Sequence, residues 1–199
     1  MTIIGITGPT GAGKTTALNE LEKLGGVIID CDAVYHELLK SNFALRNELE
    51  SRFGVLTDEN GLFDRKKLGA VVFNDPAALA DLNAIAHRHV VIAVKEILAR
   101  AEQEHVPAAA VDAIALFESG LAELCHATVA ITAPAEIRVE RIMAREGISR
   151  EYAQSRVNAQ NPEEFYTSRC QHTLCNDCKS AAEFGQRAEK LFRSILQVN

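Results

Sequence analysis

The stretch "GITGPTGAGKTT", residues 5–16, lies between the apolar run "TIIGIT" and the helical pattern "TTALNELEKL". It contains Gly8, four further residues, then Gly13, Lys14 and Thr15, which is the full G-x-x-x-x-G-K-[ST] pattern in the strand-to-helix context that it requires. Glycines in such a loop allow backbone N–H groups to point at phosphate oxygens, and the following helix adds the positive end of its dipole. The sequence therefore predicts a nucleotide phosphate site.

This loop predicts roles for individual side chains. Lys14 is expected to bridge the β and γ phosphates, and the Thr15 hydroxyl is expected to hold Mg²⁺. The residues predicted to bind the nucleotide are Gly8, Pro9, Thr10, Gly11, Ala12, Gly13, Lys14, Thr15 and Thr16. A dinucleotide-binding turn is disfavoured because "GAGKTT" lacks the third glycine of G-x-G-x-x-G. A GTPase is disfavoured because "CNDCK" holds Asn176 and Asp177 side by side, without the spacing of N-K-x-D.

Composition and charge limit the class of protein. The chain has 199 residues, of which 47% are hydrophobic and 24% charged, as expected for one main globular domain. A formal net charge of −6 and a pI near 5.5 disfavour a surface built for nucleic acid or for an anionic membrane. The start "MTIIGITG" resembles a strand that enters a glycine turn, so we expect neither a signal peptide nor a membrane anchor. We expect a cytoplasmic monomer.

Apolar runs of strand length alternate with longer amphipathic stretches. The predicted strands are "TIIGIT", "VIID", "AAAVDAIALF", "ATVAITA" and, near the carboxyl end, "HTLCN". This alternation predicts an α/β fold with an open, doubly wound parallel sheet flanked by helices. An insertion over residues 33–105 is mostly helical by pattern, with a turn at "TDENGLFD" and a helix start at Pro76. We expect this insertion to stand over the carboxyl ends of the strands, where such sheets bind ligands.

The predicted organisation is a single domain, built around the phosphate loop, in three parts. The core covers about residues 1–32, 106–134 and 170–199, a helical substrate-binding subdomain covers about 33–105, and a helical lid covers about 135–169. Within the lid region two helices are expected, with Gly147 ending the first and Ser149 capping the second.

Two aspartates follow the second predicted strand in "VIIDCDAVYHEL". We expect this strand to neighbour the first, which would place Asp30 and Asp32 beside the γ phosphate. A carboxylate there can accept a proton from an alcohol or steady Mg²⁺. Either aspartate could instead cap the following helix. Asp32 is the stronger candidate for chemistry, because a helix N-terminus would keep it ionised and facing the ligand.

Two further carboxylates belong to the third predicted strand and the segment after it. Asp112 ends "AAAVD" and Glu118 ends "AIALFE", and either one could reach Mg²⁺ through water. Asp112 could instead be a buried residue bonded to nearby backbone. Glu118 could instead be the first-turn acid of an "ESGLAEL" helix.

Six arginines fall in one stretch that contains no lysine: Arg138, Arg141, Arg145, Arg150, Arg156 and Arg169. This bias favours forked contacts with phosphate. Arg138, Arg141 and Arg145 are spaced to share one helix face, as a lid that closes on a triphosphate would require. The alternative for any of them is surface pairing with Glu136, Glu140 or Glu146.

The segment "CQHTLCNDC" contains four potential zinc ligands: Cys170, His172, Cys175 and Cys178. All four lie within nine residues, and the usual distant second pair is missing. We therefore expect reduced structural thiols and not a zinc site, consistent with an odd total of five cysteines.

In their order and spacing these segments resemble dephospho-CoA kinase over nearly the whole chain. The resemblance rests on "GITGPTGAGKTT", "VIIDCDAVYHEL", "NGLFDRKKLGAVVF", "LFESGL", "RIMAREG" with Gln160 following, and "HTLCND". Three positions depart from the family pattern: "IALFE" replaces Pro-Leu-Leu-Phe-Glu, Arg138 replaces Gln, and Arg88 replaces the Pro after His87.

The resemblance implies phosphorylation of the ribose 3′-hydroxyl of dephospho-CoA, with Mg²⁺-ATP as donor. It implies an active-site acid at Asp32 and a lid arginine at Arg141, with Lys14 as the third catalytic residue. It places Arg145 and Asn176 in the ATP site, Asn176 as part of a wall around adenine. Residues implied for the substrate are Asp32, His36, Asp64, Arg65, His87 and Glu118. The metal would be held by Thr15, with Asp112 a further candidate.

Two other functions remain open from the residues alone. A P-loop kinase could act on a nucleoside, a nucleotide or a sugar, because the phosphate loop says nothing about the acceptor. A non-catalytic nucleotide-binding module is the other alternative. Dephospho-CoA and ATP are the expected partners, without nucleic acid or membrane.

Overall fold

The computed structural model describes residues 1–59 and 61–197, which form two compact units. The first unit comprises Met1–Ile29 and Arg100–Asn199, and the second comprises Asp30–Ala99. The expected helical insertion, about 33–105, overlaps the second unit. Of the predicted turn at residues 57–64, Asn60 lies outside the described residues.

Among the described residues the strands form one sheet in the order β2-β3-β1-β4-β5. The strands are β1 (Thr2–Thr7), β2 (Val27–Asp30), β3 (Ala108–Asp112), β4 (Ala127–Thr132) and β5 (His172–Cys175). The pairs β1–β3, β1–β4 and β4–β5 are parallel. The open parallel sheet flanked by helices is confirmed, as is the strand-forming pattern of alternating apolar segments.

The order of the strands corrects one expectation. We expected β2 to neighbour β1, but β3 lies between them. The reason is burial: the first four residues of β3 are fully buried, whereas only one of the four residues of β2, Ile29, is buried. An apolar strand of small residues occupies the interior of the sheet, and the more exposed strand takes the edge. The third strand also ends earlier than expected, at Asp112, and residues 114–119 form turns.

The described part of the first unit contains five α-helices besides the sheet. They are α1 (Lys14–Lys23), α6 (Ala135–Glu146), α7 (Arg150–Asn158), α8 (Glu163–Thr167) and α9 (Ala181–Gln197), together with a short 3₁₀ helix (Leu121–Leu124). The apolar faces of α1 and α9 pack with β1 and β4 in one core, where Leu21, Phe184 and Phe192 are wholly buried. The end of α6 at Gly147 and the Ser149 cap on α7 agree with the expectations.

The second unit contains the remaining helices: α2 (Cys31–Ser41), α3 (Phe43–Phe53), α4 (Arg65–Val72) and α5 (Pro76–Gln103), whose last turn belongs to the first unit. Its core joins residues of all four helices, including Leu39, Leu45 and Leu68. The helix start at Pro76 is confirmed. By length and composition alone α5 could cross a membrane, but one such helix is weak evidence. Its residues Ala78 and Ile85 pack in the core of the unit.

Candidate active site

The phosphate loop follows β1 and ends at the first turn of α1. Gly8 and Gly13 have φ angles of 140° and 105°, and Lys14 turns back to donate from Nζ to the Gly8 carbonyl at 2.8 Å. This bond holds the ammonium group over the loop, where it would meet phosphate oxygens. The loop therefore has its glycines and its lysine arranged around one concave backbone turn, as phosphate binding requires.

Two glycines of this loop leave no room for a side chain. A Cβ at Gly8 would lie 2.0 Å from the Ile131 carbonyl oxygen, and one at Gly13 would lie 2.3 Å from Asn176 Nδ2. Both positions also need a positive φ, which glycine adopts without steric cost. The glycine pattern read from the sequence thus has a direct packing cause in β4 and in the segment after β5.

Asn176 is buried beneath the loop. Its Nδ2 donates to the Ala12 carbonyl at 2.9 Å, and its backbone N–H donates to Thr132 at 2.7 Å. Its Oδ1 accepts from Arg141 Nη2 at 3.0 Å. Only 4% of Asn176 is exposed, so its side chain supports the loop from below. An adenine contact at this position would have to come from neighbouring groups of the same segment.

Arg141, on α6, also contacts the loop. Its Nη1 lies 3.3 Å from the carbonyl oxygens of both Gly11 and Ala12. These are long bonds to neutral oxygens, and charged phosphate oxygens are much stronger acceptors for a guanidinium. A role for Arg141 in binding a nucleotide phosphate stays a prediction.

The other arginines of the predicted lid have different surroundings. Arg138 is buried, and burial lowers the pKa of its guanidinium. Arg145 pairs with Glu146 at 2.7 Å, Arg156 also pairs with Glu146, and Arg150 pairs with Glu136. The spacing of these three arginines predicted one shared face, but their surroundings differ: Arg138 is buried, Arg141 contacts the loop and Arg145 is exposed.

Thr15 and Asp112 offer the oxygen donors that suit Mg²⁺. Thr15 is exposed in the first turn of α1, and Asp112 ends β3 in register with Ile6, just before the loop. Mg²⁺ retains several waters and takes few protein ligands beside substrate phosphates, so this sparse donor set fits the ion. Among the described residues, no group of three or more His, Cys, Asp or Glu side chains is arranged to hold a metal.

Glu118 is exposed and forms an ion pair with Arg169. The Arg169 guanidinium also lies 4.0 Å from the centre of the Phe165 ring. Glu118 sits in a turn, and the next helical turn begins only at Leu121, so it is not a first-turn acid. A substrate role for Glu118 therefore stays a prediction.

In the second unit the two aspartates separate into a cap and an open carboxylate. Asp30 is the N-cap of α2: its Oδ1 accepts from the N–H groups of Asp32 and Ala33 at 2.9 and 3.0 Å. Asp32 lies exposed in the first turn, and no described residue bonds its carboxylate. The capping role that both aspartates could have filled is taken by Asp30, which leaves Asp32 available for a ligand.

The other residues implied for the substrate come together only in part. His36 and Arg65 line the same pocket of the second unit. Asp64 accepts from the N–H groups of Lys66 and Lys67 as the N-cap of α4. His87 is partly buried on α5, and it is not among the described residues that line this pocket.

The cysteines are all free thiols. Burial raises the pKa of Cys125 to about 12 and that of Cys170 to about 11, and it also raises the pKa of Cys178. The expectation that the segment from Cys170 to Cys178 binds no zinc stays a prediction.

Comparison with known proteins identifies the family. The family model for dephospho-CoA kinase matches residues 2–182. The chain belongs to the dephospho-CoA kinase family. The dephospho-CoA kinase of Dehalococcoides mccartyi is 34% identical over 180 residues, which cover 90% of each chain. That of Geobacter sulfurreducens is 33% identical and covers 96% of this chain and 98% of its own.

Solved structures are similar to the chain over nearly its whole length. TT1252 from Thermus thermophilus is 35% identical, with a TM-score of 0.80 and coverage of 98% and 97% of the two chains. Dephospho-CoA kinase from Campylobacter jejuni is 25% identical, with a TM-score of 0.62 over the same shares. Shikimate kinase from Bacteroides thetaiotaomicron, at 15% identity and a TM-score of 0.52, shares the fold.

Reasoning from the dephospho-CoA kinase motifs missed two features of the site. Arg46 lines the pocket with His36 and Arg65, but nothing in its sequence context distinguishes it from a surface arginine. Arg138 and Gln160 both bond to Thr10, a contact between residues more than a hundred positions apart. The available signals were the departure from the family pattern at Arg138 and the presence of Gln160 in that pattern.

Proposed function

We propose that the protein transfers the γ-phosphoryl group of ATP to the ribose 3′-hydroxyl of dephospho-CoA, giving coenzyme A and ADP. The observation that carries the proposal is similarity to a dephospho-CoA kinase over 90% of both chains. The phosphate loop and the open carboxylate of Asp32 supply groups that this reaction needs.

In this mechanism the bond from the 3′-oxygen to the γ phosphorus forms as the bond from the γ phosphorus to the bridging oxygen of ADP breaks. Asp32 orients the 3′-hydroxyl and accepts its proton. Lys14 holds the β and γ phosphates, and Arg141 binds the charge that spreads over the equatorial oxygens. Thr15 and Asp112 are the residues that would hold Mg²⁺, and the ion would supply positive charge to balance that of the phosphates.

The test is an ADP-release assay coupled to a second enzyme, with Mg²⁺-ATP and dephospho-CoA. We expect ADP formation that depends on dephospho-CoA, together with a product phosphorylated at the 3′ position. Absence of acceptor-dependent turnover, with ATP still binding, would favour a non-catalytic nucleotide-binding module.

A panel of acceptors separates this proposal from other P-loop kinases. Dephospho-CoA should give the highest kcat/KM among dephospho-CoA, adenosine, AMP, shikimate and gluconate. A higher kcat/KM for any other alcohol would overturn the choice of acceptor and leave the chemistry of the phosphate loop intact. We further propose that the enzyme acts as a cytoplasmic monomer.

A further inference from the structure

A basic pocket of about 530 Å³ lies within the second unit. We call it the α2–α3 pocket; its basic lining residues are His36, Lys40, Arg46 and Arg65. Leu39, Leu62 and Phe63 provide an apolar side. None of the described lining residues is acidic, so the pocket is suited to an anion that carries an apolar group.

Arg46 has a hydrogen-bond donor that no described protein group accepts. Its Nε is buried and, among the described residues, has no hydrogen-bond partner. Its guanidinium is held 4.6 Å from the centre of the Phe43 ring. A buried donor without a partner is costly, and a buried N–H of a cation is a strong donor to phosphate oxygens. Stacking on the Phe43 ring therefore positions the guanidinium, and its Nε–H is available to donate to a ligand.

The pocket continues the helical face that carries Asp32. Asp32, His36 and Lys40 are spaced at i, i+4 and i+8 along α2, so they lie on one face over a rise of about 12 Å. A ribose whose 3′-hydroxyl meets Asp32 can extend its 5′ substituent along this face. In dephospho-CoA that substituent is a pyrophosphate followed by an uncharged arm.

From these observations we propose that the α2–α3 pocket binds the pyrophosphate of the acceptor, with Arg46 as the residue that selects for it. Lys40 and Arg65 add positive charge, and Leu62 and Phe63 contact the start of the uncharged arm. This inference rests on the proposed function, and it assigns the part of the substrate that distinguishes dephospho-CoA from a plain nucleoside.

The experiment compares Arg46→Gln with Arg52→Gln. Both arginines lie on α3 over a phenylalanine ring, but Arg52 pairs with Asp81 and lies outside the pocket. Arg46→Gln should raise KM for dephospho-CoA at least about tenfold, the loss expected for a charge-assisted bond, with KM for ATP unchanged. Arg52→Gln should leave both KM values within about twofold of wild type.

An unchanged KM for dephospho-CoA in folded Arg46→Gln would overturn the pocket assignment alone. If that variant does not fold, Arg46→Lys decides by the same measurement, because it keeps the charge but loses the forked donor. Absence of turnover in the wild type would instead overturn the proposed function. Thermal melting of each variant establishes that it is folded.

A separate observation concerns the peptide of Thr10 in the phosphate loop. Arg138 Nε donates to the Thr10 carbonyl at 2.9 Å, and the Thr10 N–H donates to Gln160 Oε1 at 3.1 Å. Arg138 Nη2 also donates to Gln160 Oε1, which closes the network. Both polar backbone groups of Thr10 are therefore fixed by side chains from the predicted lid region.

Burial makes this arrangement costly for Arg138. Only 6% of the residue is exposed, and removal from water lowers its guanidinium pKa. Its hydrogen bonds go to neutral oxygens of Thr10 and Gln160, and the nearby Glu163 carboxylate offsets the effect of burial on its pKa only in part. A buried cation that is bonded to the backbone of the phosphate loop is expected to stabilise the conformation of that loop.

We infer that Arg138 and Gln160 are positioning residues that hold the phosphate loop in its nucleotide-binding conformation. They act through the backbone of Thr10, not by touching the nucleotide. Because this network lies within the first unit, its effect should appear in nucleotide binding without any acceptor.

The test measures ATP affinity by calorimetry for Arg138→Met, Gln160→Leu and the exposed control Arg150→Met. The first two should weaken binding about tenfold, and the control should not change it beyond about twofold. Arg138→Gln should recover part of the affinity, because its amide can donate to Thr10. Folded Arg138→Met or Gln160→Leu with wild-type ATP affinity would overturn the inference.

Discussion

Asp32→Asn is expected to lower kcat about 10²-fold or more while leaving the affinity for ATP largely intact. The carboxylate of Asp32 has no partner among the described residues, and the cap of α2 is already provided by Asp30. The change therefore removes a proton acceptor without removing a structural contact. Steady-state kinetics with dephospho-CoA give kcat, and calorimetric titration gives the ATP affinity.

Asp30→Asn is the matched control for this prediction. Asparagine caps helices about as well as aspartate, so α2 should remain intact and kcat should stay within severalfold of wild type. A near-native kcat for Asp32→Asn would assign Asp32 the lesser role of a first-turn charge that complements the helix dipole. An equal loss in both variants would point to joint action of the two carboxylates.

Arg141→Met is expected to lower kcat by about 10³-fold, as for other arginines that stabilise charge in phosphoryl transfer. In the structure the Arg141 guanidinium lies against carbonyl oxygens of the loop and Asn176, all neutral acceptors. Transfer of these donors to a phosphate in the transition state lowers the barrier more than it strengthens ground-state binding. The loss should therefore appear in kcat more than in KM for ATP.

Two further variants serve as controls for the kcat of Arg141→Met: Arg141→Lys is the conservative change, and Arg150→Met removes an exposed arginine. Lysine keeps the charge but cannot fork between two oxygens, so an intermediate rate is expected. Arg150 is exposed and paired with Glu136, so its removal should leave kcat within about twofold. Loss of ATP affinity in Arg141→Met, with kcat unchanged, would show that the residue supports the loop and not the chemistry.

Local patterns predicted much of this protein because their causes lie within a few residues. The helix start at Pro76 and the cap at Ser149 follow from backbone groups in a single turn. The glycines of the phosphate loop follow from the positive φ that their turn requires. The phosphate loop is both the predicted nucleotide site and one of the motifs on which the family resemblance rests.

Contacts between distant parts of the chain could not be predicted in this way. Even within one turn the sequence left both aspartates as possible caps, and the backbone conformation at the start of α2 assigns the cap to Asp30. The spacing of the lid arginines predicted one face, yet burial of Arg138 and the reach of Arg141 to the loop depend on residues more than a hundred positions away.

The glycine and lysine pattern of the loop thus predicted a phosphate site from the sequence, since the turn and the bond from Lys14 to Gly8 lie within residues 8–16. Only the tertiary structure established which side chains support that loop and which basic residues share a pocket. The physical reason is that burial and hydrogen-bond partners are set by packing between elements, and packing is not encoded in any single local pattern.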